Sequence, residues 1–379
     1  MQMRLIFASR NLFHDRVRFI ATMVGIVFSI VLVAVQMGLF LSFERMVTTM
    51  IDHASAELWI VPYGTKDFED PPLIDEQQRF RAISIREVTD AAPVVIGYAQ
   101  WRLPSGATTP VLIVGSSRGA AELQPWNLIG GDLEALSVPD TAAVDAFYFE
   151  RLETAGLGDR AEINDRRVRI AAVTTGIRAF TNTPYVFTSL DQARRYLGIP
   201  SAKASYFLLR LSPAANIEDV RSRLRASLSV SDAEVLTSAE FRARSRSFWL
   251  FGTGAGFALL AGALLGIIVG TVIVAQTLYS STKDHLGEFA TLRAMGSSGQ
   301  YLRMVIVIQG VLSAIIGFSM AAGISMMIVK ATAETALPIV LTPALMTGLF
   351  IVTVVMCIVS ATSAIVQLMR IDPVTVFTQ

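Results

Sequence analysis

Apolar runs and one long polar block divide the chain. Ile20 to Leu41 carries no ionisable side chain, and its helical rise is enough to cross a hydrocarbon core of roughly 30 Å. Three more runs follow, about Phe248 to Leu278, Met304 to Val329 and Pro343 to Val366, each past the ~18 residues that mark a spanning candidate. The pattern predicts an α-helical membrane protein with four transmembrane helices at 20–41, 248–279, 301–330 and 343–367. The second run is longer than a bilayer requires, so it tilts or projects beyond the membrane as a stalk. Residues 1–19 are basic and amphipathic, with Arg4, Arg10, Arg16 and Arg18 among Leu5, Ile6, Phe7, Leu12 and Phe13; such a helix lies in the headgroup layer. A cleaved signal peptide is the rival reading, because Ala54-Ser55-Ala56 has the small-x-small form. The apolar run is too long for one, and Glu44 and Arg45 precede the supposed site.

Between the first and second runs the pattern changes. Residues 42–247 hold most of the arginines, with prolines, turn signals and short strand-like runs: Glu57 to Val61, Val94 to Tyr98, Val111 to Val114, Val168 to Val173 and Tyr206 to Leu211. Helical stretches, Asp191 to Leu197 and Ile217 to Leu228, lie among them. The expectation is one α/β domain inserted between helices 1 and 2, large enough to bury its own core. Ser42 to His53 continues the first span as a helix, and Ser238 to Ser247 leads straight into the second. Residues 331–342 form a short loop punctuated by Pro338 and Pro343, and residues 368–379 are a polar tail.

Composition agrees with the pattern. Of 379 residues, 53% are hydrophobic and 17% charged, against about 25% charged in ordinary soluble domains. A net charge of +1 offers no footprint for nucleic acid. The single cysteine, Cys357, excludes an internal disulfide and argues against a cysteine zinc site. Basic residues in the short flanks (the four N-terminal arginines; Lys283, Arg293 and Arg303; Arg370) place both termini and the 280–300 segment on the cytoplasmic side. The large block then lies outside, since long domains translocate largely regardless of charge.

In the second run Ala258, Gly262, Gly266 and Gly270 recur every four residues, and in the third Ser313, Gly317, Ala321 and Ser325 do the same. One stripe of small residues lets helix backbones approach closely, so Gly262, Gly266, Gly270, Ser313 and Gly317 are assigned to helix packing, within one chain or between two copies. Gln36, Gln276 and Gln309 are the conspicuous amides of the spans. No acidic or basic side chain sits near the centre of any run, which argues against an ion-coupled carrier. Catalytic signals are weak: there is no G-x-x-x-x-G-K-[ST] phosphate loop, H-E-x-x-H or G-x-S-x-G. Met46, Met50 and His53 at helical spacing suggest haem or metal contact, although an amphipathic helix burying its apolar face explains them as well. Catalytic, cofactor and metal sites are therefore expected to be absent from this chain.

Residues 280–300 form a short charged segment between two apolar runs. Ser281 or Thr282 can cap a helix, Asp284 suits its dipole, Leu286, Phe289 and Leu292 recur at three-residue steps, and Gly296 with Gly299 ends it. By periodicity alone this is an interfacial helix.

Its residues carry a resemblance. Asp284-His285-Leu286-Gly287-Glu288-Phe289-Ala290-Thr291-Leu292-Arg293-Ala294-Met295-Gly296 resembles the E-(F/I)-(A/G)-T-L-(K/R)-A-(M/L)-G signature of the MacB/FtsX-like ABC transporter permeases, especially the DevC-type branch. Ser9-Arg10-Asn11-Leu12-Phe13, then Arg16 and Thr22-Met23-Val24-Gly25-Ile26, is similar to the family's approach to its first span. Asn182 to Ser189 resembles an outer-domain segment of DevC-like proteins, and Ile371-Asp372-Pro373-Val374 resembles the C-terminal signature. The resemblance implies a homodimeric permease subunit in the bacterial inner membrane, beneath which two copies of a separate ABC ATPase bind ATP and magnesium. Leu286, Glu288, Phe289, Leu292, Arg293, Met295 and Gly296 would belong to the coupling helix seated on that ATPase. The implied mechanism is mechanotransmission (type VII) export with a periplasmic adaptor, or membrane fusion protein, and an outer-membrane channel. The alternative is an FtsX-like signalling scaffold that regulates a periplasmic hydrolase. MacB itself carries its ATPase on the same chain, and nothing in this sequence corresponds to it.

Overall fold

The computed structural model describes residues 16–228, 232–284 and 299–369. The chain divides into two units: residues up to Ser42 together with those from Gly256 onward, and Phe43–Ala255.

The first helix, α1 (Arg16–Met46), is longer than the apolar run at 20–41, because the flanking polar residues stay helical at both ends. A turn at Val47-Thr48 follows, then α2 (Thr49–Asp52). Here the Thr48 hydroxyl donates to the Asp52 carboxylate at 2.7 Å.

The second unit continues with β1 (Leu58–Pro62), β2 (Ile74–Asp75), α3 (Gln77–Ile83), β3 (Val88–Arg102), β4 (Thr108–Ser116), β5 (Leu128–Gly131) and β6 (Thr141–Asp145). After these come α4 (Phe149–Leu152), β7 (Arg160–Ile163), β8 (Arg166–Thr174), β9 (Tyr185–Ser189) and α5 (Leu190–Leu197). The unit closes with β10 (Lys203–Ala204), β11 (Tyr206–Leu211), α6 (Ile217–Ser227), β12 (Ala233–Thr237) and α7 (Ser238–Ser247). Among the described residues a ten-stranded mixed sheet runs in the order β12-β1-β11-β3-β4-β9-β6-β8-β5, with β7 pairing β3 and β8, and β10 and β2 pair separately as a two-stranded antiparallel sheet. β4 pairs β9, and β6 pairs β8, in parallel; their neighbours are antiparallel.

Alternation along a strand sends successive side chains to opposite faces, and here both faces are covered. From β1, Leu58 and Ile60 enter one buried cluster while Trp59 and Val61 enter another. From β4, Val111 and Ile113 divide from Leu112 and Val114 in the same way. This is why the strands read as nearly continuous apolar runs. Helix ends are sealed locally. The Asn216 side chain accepts from the amides of Glu218 and Asp219 at the start of α6. Thr237 and Glu240 form a capping box on α7, and Gly198, left-handed at φ 66°, closes α5.

The second apolar run does not form one helix from residue 248, which corrects the expected 248–279 span. Phe248–Gly252 is a π-turn continuing α7. Gly254, at φ +79°, then breaks the chain, and α8 (Ala255–Asp284) begins only after it. A left-handed residue cannot continue a right-handed helix, and glycine takes that conformation without a Cβ penalty. α9 (Gly299–Thr332) and α10 (Pro343–Met369) complete the chain, with Pro343 at the first helical position, where its missing N–H costs nothing. Four described helices are long and apolar enough to span a membrane: Phe19–Met46, Ala255–Ser280, Ile306–Thr332 and Pro343–Ser363.

Candidate functional site: helix seams and the helix–sheet junction

The coupling residues Leu286, Glu288, Phe289, Leu292, Arg293, Met295 and Gly296 lie outside the described residues. Residues 1–15, most of the basic N-terminal segment expected to be helical, and the Ile371-Asp372-Pro373 tail do too.

The helix-packing residues are described. A Cβ added at Gly262 would meet Gln36 Nε2 at 2.7 Å, one at Gly266 would meet Val33 Cγ2 at 3.0 Å, and one at Gly270 would meet Ser29 Oγ at 2.2 Å. At the other end of α1, a Cβ on Gly25 would meet Ile273 Cγ2 at 2.4 Å. As numbers rise along α1 they fall along α8, so the two helices run antiparallel with glycine backbones at the seam. Ser29 Oγ also donates to the Gly266 carbonyl at 2.6 Å. On α9, a Cβ added at Gly317 would meet Ile26 Cγ2 at 2.5 Å, and Ser313, Ala321 and Ser325 are buried. The glycine and serine stripes thus meet helices of the same chain. Ala258, in step with the stripe, is exposed. A third close approach joins α9 to α10, where a Cβ on Gly310 would lie 3.1 Å from the Cys357 carbonyl. Of the three amides, Gln309 is buried and Gln276 exposed.

The second constellation was not legible as a motif. Within the second unit, the last turn of α1 and the short α2 lie beside α7 and its π-turn. Arg246 Nη1 bonds Glu44 Oε1, Arg242 reaches Asp52 at 2.9 Å, and Arg244 holds Glu234 with one nitrogen on each oxygen, at 3.0 and 2.8 Å. The Arg244 guanidinium, first through that hydrogen bond, lowers the pKa of Glu234. Phe43, 1% exposed, packs on Phe180 with the rings tilted and their centroids 3.8 Å apart, and Phe180 in turn meets Trp249 at 5.5 Å. Lys66 Nζ lies 5.7 Å from the centre of the Phe248 ring. His53 stacks flat on Trp126 at 3.7 Å while Met50 is buried in the core. The Met46, Met50 and His53 spacing therefore places an aromatic contact at His53. Among the described residues no three histidine, cysteine or acidic side chains gather as a metal site.

Phe180 sits on the 175–184 loop, which is tied down along its length. The amide of Ile177 donates to Asp145 Oδ2 at 2.7 Å and that of Ala179 to the Tyr148 hydroxyl at 3.1 Å. The Arg178 guanidinium covers the Phe147 ring at 4.3 Å. Thr181 Oγ1 lies 3.4 Å from Glu69 Oε2, and Arg151 bonds the Asn182 carbonyl. Glu69 is itself buried, accepting from the Tyr185 hydroxyl at 2.7 Å. Burial pushes its pKa up, the Tyr185 bond pulling the other way. Desolvation raises Asp145 and Asp67 likewise.

Comparison with known proteins identifies the architecture. The sequence model of the MacB-like periplasmic core domain matches residues 19–227, and that of the FtsX-like permease C-terminal domain matches residues 248–373. No curated protein sequence matches. Among solved structures, the periplasmic region of MacB from Actinobacillus actinomycetemcomitans is similar at 9% identity and a TM-score of 0.39, covering 51% of this chain and 94% of that one. The extracellular domain of the ABC-type transporter YknZ from Gram-positive bacteria follows at 12% identity and a TM-score of 0.37, covering 48% and 99%. The two sequence-model matches, in order along a chain whose described residues include four helices long and apolar enough to cross a membrane, carry the assignment: this chain belongs to the MacB/FtsX-like family of ABC transporter permeases, the membrane subunits that work with an ABC ATPase.

Proposed function

We propose that the protein is the permease half of a mechanotransmission exporter, with both termini cytoplasmic and the sheet domain outside. Two copies of a separate ATPase bind ATP and magnesium beneath a homodimer of this chain. Residues 286–296 receive the movement of that ATPase, and the sheet domain delivers it to a periplasmic adaptor and an outer-membrane channel, as in DevC-type systems. The observation that carries this reading is α1. A single unbroken helix of 31 residues includes the first apolar span and continues to Met46, inside the second unit. A helix without a break transmits axial displacement, because shortening it requires breaking backbone hydrogen bonds.

The test is recovery of the motor. Purification of the intact protein from its native membranes is expected to bring down an ABC ATPase, and Leu286→Asp with Phe289→Asp is expected to abolish that recovery while leaving the permease folded. An ATPase that co-purifies undiminished with the double variant removes the coupling assignment.

A further inference from the structure

We infer that Phe180 is a positioning residue for transport, the contact through which movement of the membrane helices enters the sheet; this rests on the mechanotransmission reading above. Two passages of chain enter the second unit beside each other, and they differ mechanically. The first is the continuous end of α1. The second is the π-turn Phe248–Gly252, set off from α8 by Gly254 at φ +79°. The ion pairs beside these passages, which tie α1 and α2 to α7, are partly exposed, and such pairs contribute little each. Phe180 touches both: Phe43 on α1 at 3.8 Å and Trp249 on the π-turn at 5.5 Å. It alone among the described aromatic residues is in ring contact with both passages.

The far side of Phe180 is stiff. Its neighbours Ile177 and Ala179 are hydrogen-bonded to Asp145 and Tyr148, and Arg178 lies over Phe147. Asp145 ends β6, and its carboxylate also accepts from Phe147 N at 3.0 Å and Thr174 Oγ1 at 3.2 Å. Thr174 ends β8, the parallel partner of β6. A displacement of Phe43 or Trp249 is therefore passed through Phe180 to the paired ends of two sheet strands. Close-packed contacts pass on displacement of this kind because interiors compress little.

The experiment uses the full-length protein with its ATPase in nanodiscs. Ile129, exposed on β5, is replaced by a spin-labelled cysteine in a Cys357→Ala background. The distance between the two labels of the dimer is then read with and without ATP and vanadate. In the parent protein the distance is expected to change with ATP. In Phe180→Ala, ATP hydrolysis and ATPase recovery are retained and the change is lost; Trp249→Ala gives the same loss without touching the loop, and Phe180→Trp restores the change. A full ATP-dependent change in Phe180→Ala or in Trp249→Ala overturns the inference. If Phe180→Ala does not fold, Trp249→Ala and Phe180→Trp decide it on the same criterion. No change in the parent protein overturns the mechanotransmission reading itself, and the inference with it.

Discussion

Glu69 sits in the stretch Lys66-Asp67-Phe68-Glu69-Asp70-Pro71-Pro72, which by composition is a solvated loop. Its burial comes from Tyr185 and Thr181, far away in the sequence, so no local pattern could announce it. The consequence is a pH dependence whose sign follows from the direction of the shift. Burial raises the pKa of Glu69 in the folded domain, so the fold holds this proton more tightly than the unfolded chain does. That stabilisation is complete below the ordinary carboxylate value of about 4.3 and is lost as pH rises through the higher folded value. Glu69→Gln keeps an acceptor for the Tyr185 hydroxyl and cannot ionise. Thermal unfolding of the two proteins is expected to coincide at acid pH and to diverge in favour of the glutamine variant towards neutrality. Parallel curves across the range refute the assignment. Phe180 was hidden for the same reason as Glu69: its partners Phe43 and Trp249 are brought to it only by the tertiary fold.

At the scale of elements, regular periods were readable and interruptions were not. Strands centred on Val111 to Val114 and Tyr206 to Leu211, and the helix from Ile217, stand where alternation and helical spacing put them. Gly262, Gly266 and Gly270 on α8 and Gly317 on α9 face close helix contacts, since the four-residue step matches the helical repeat, while Ala258 in the same step is exposed. The π-turn leaves no mark in the sequence pattern because apolar character continues through Phe248-Trp249-Leu250-Phe251, and hydropathy does not register a local change of winding. The seams make a sharp comparison possible. Gly270→Val forces atoms against Ser29 Oγ, 2.2 Å from the first added carbon, whereas a Cβ at Gly323 meets nothing within 4 Å. Overpacking of this kind typically costs about 1–3 kcal/mol. Thermal unfolding in detergent is expected to show Gly270→Val clearly destabilised and Gly323→Ala unchanged or slightly stabilised. Equal midpoints would mean that the α1–α8 seam can separate at no cost.

For the whole molecule, the division into an inserted block and four spans was visible in composition alone, because membrane and water impose opposite requirements on long stretches of side chains. The resemblance rests on short signatures spread along the chain, and the two sequence models establish the family over residues 19–227 and 248–373. Phe43–Ala255 forms its own unit with buried clusters on both faces of its sheet. Residues 43–255 without the spans are expected to be soluble and to unfold in one cooperative transition in urea, followed by circular dichroism. A gradual loss of signal, or insolubility, would show that this unit depends on the spanning helices for its core.

The protein's one cysteine adds an experimental handle. Cys357 is fully buried, in a seam shared by α1, α8, α9 and α10, with Gly310 against its own carbonyl. A thiol there is chemically silent for as long as the seam stays shut, because alkylation requires a reagent to reach the sulfur. The rate at which a membrane-permeant maleimide modifies the unaltered protein is thus a clock for opening of this four-helix seam. If the transport cycle parts these helices, the rate will rise during turnover; if their packing stays closed, it will not. The native chain carries that reporter without any engineered change.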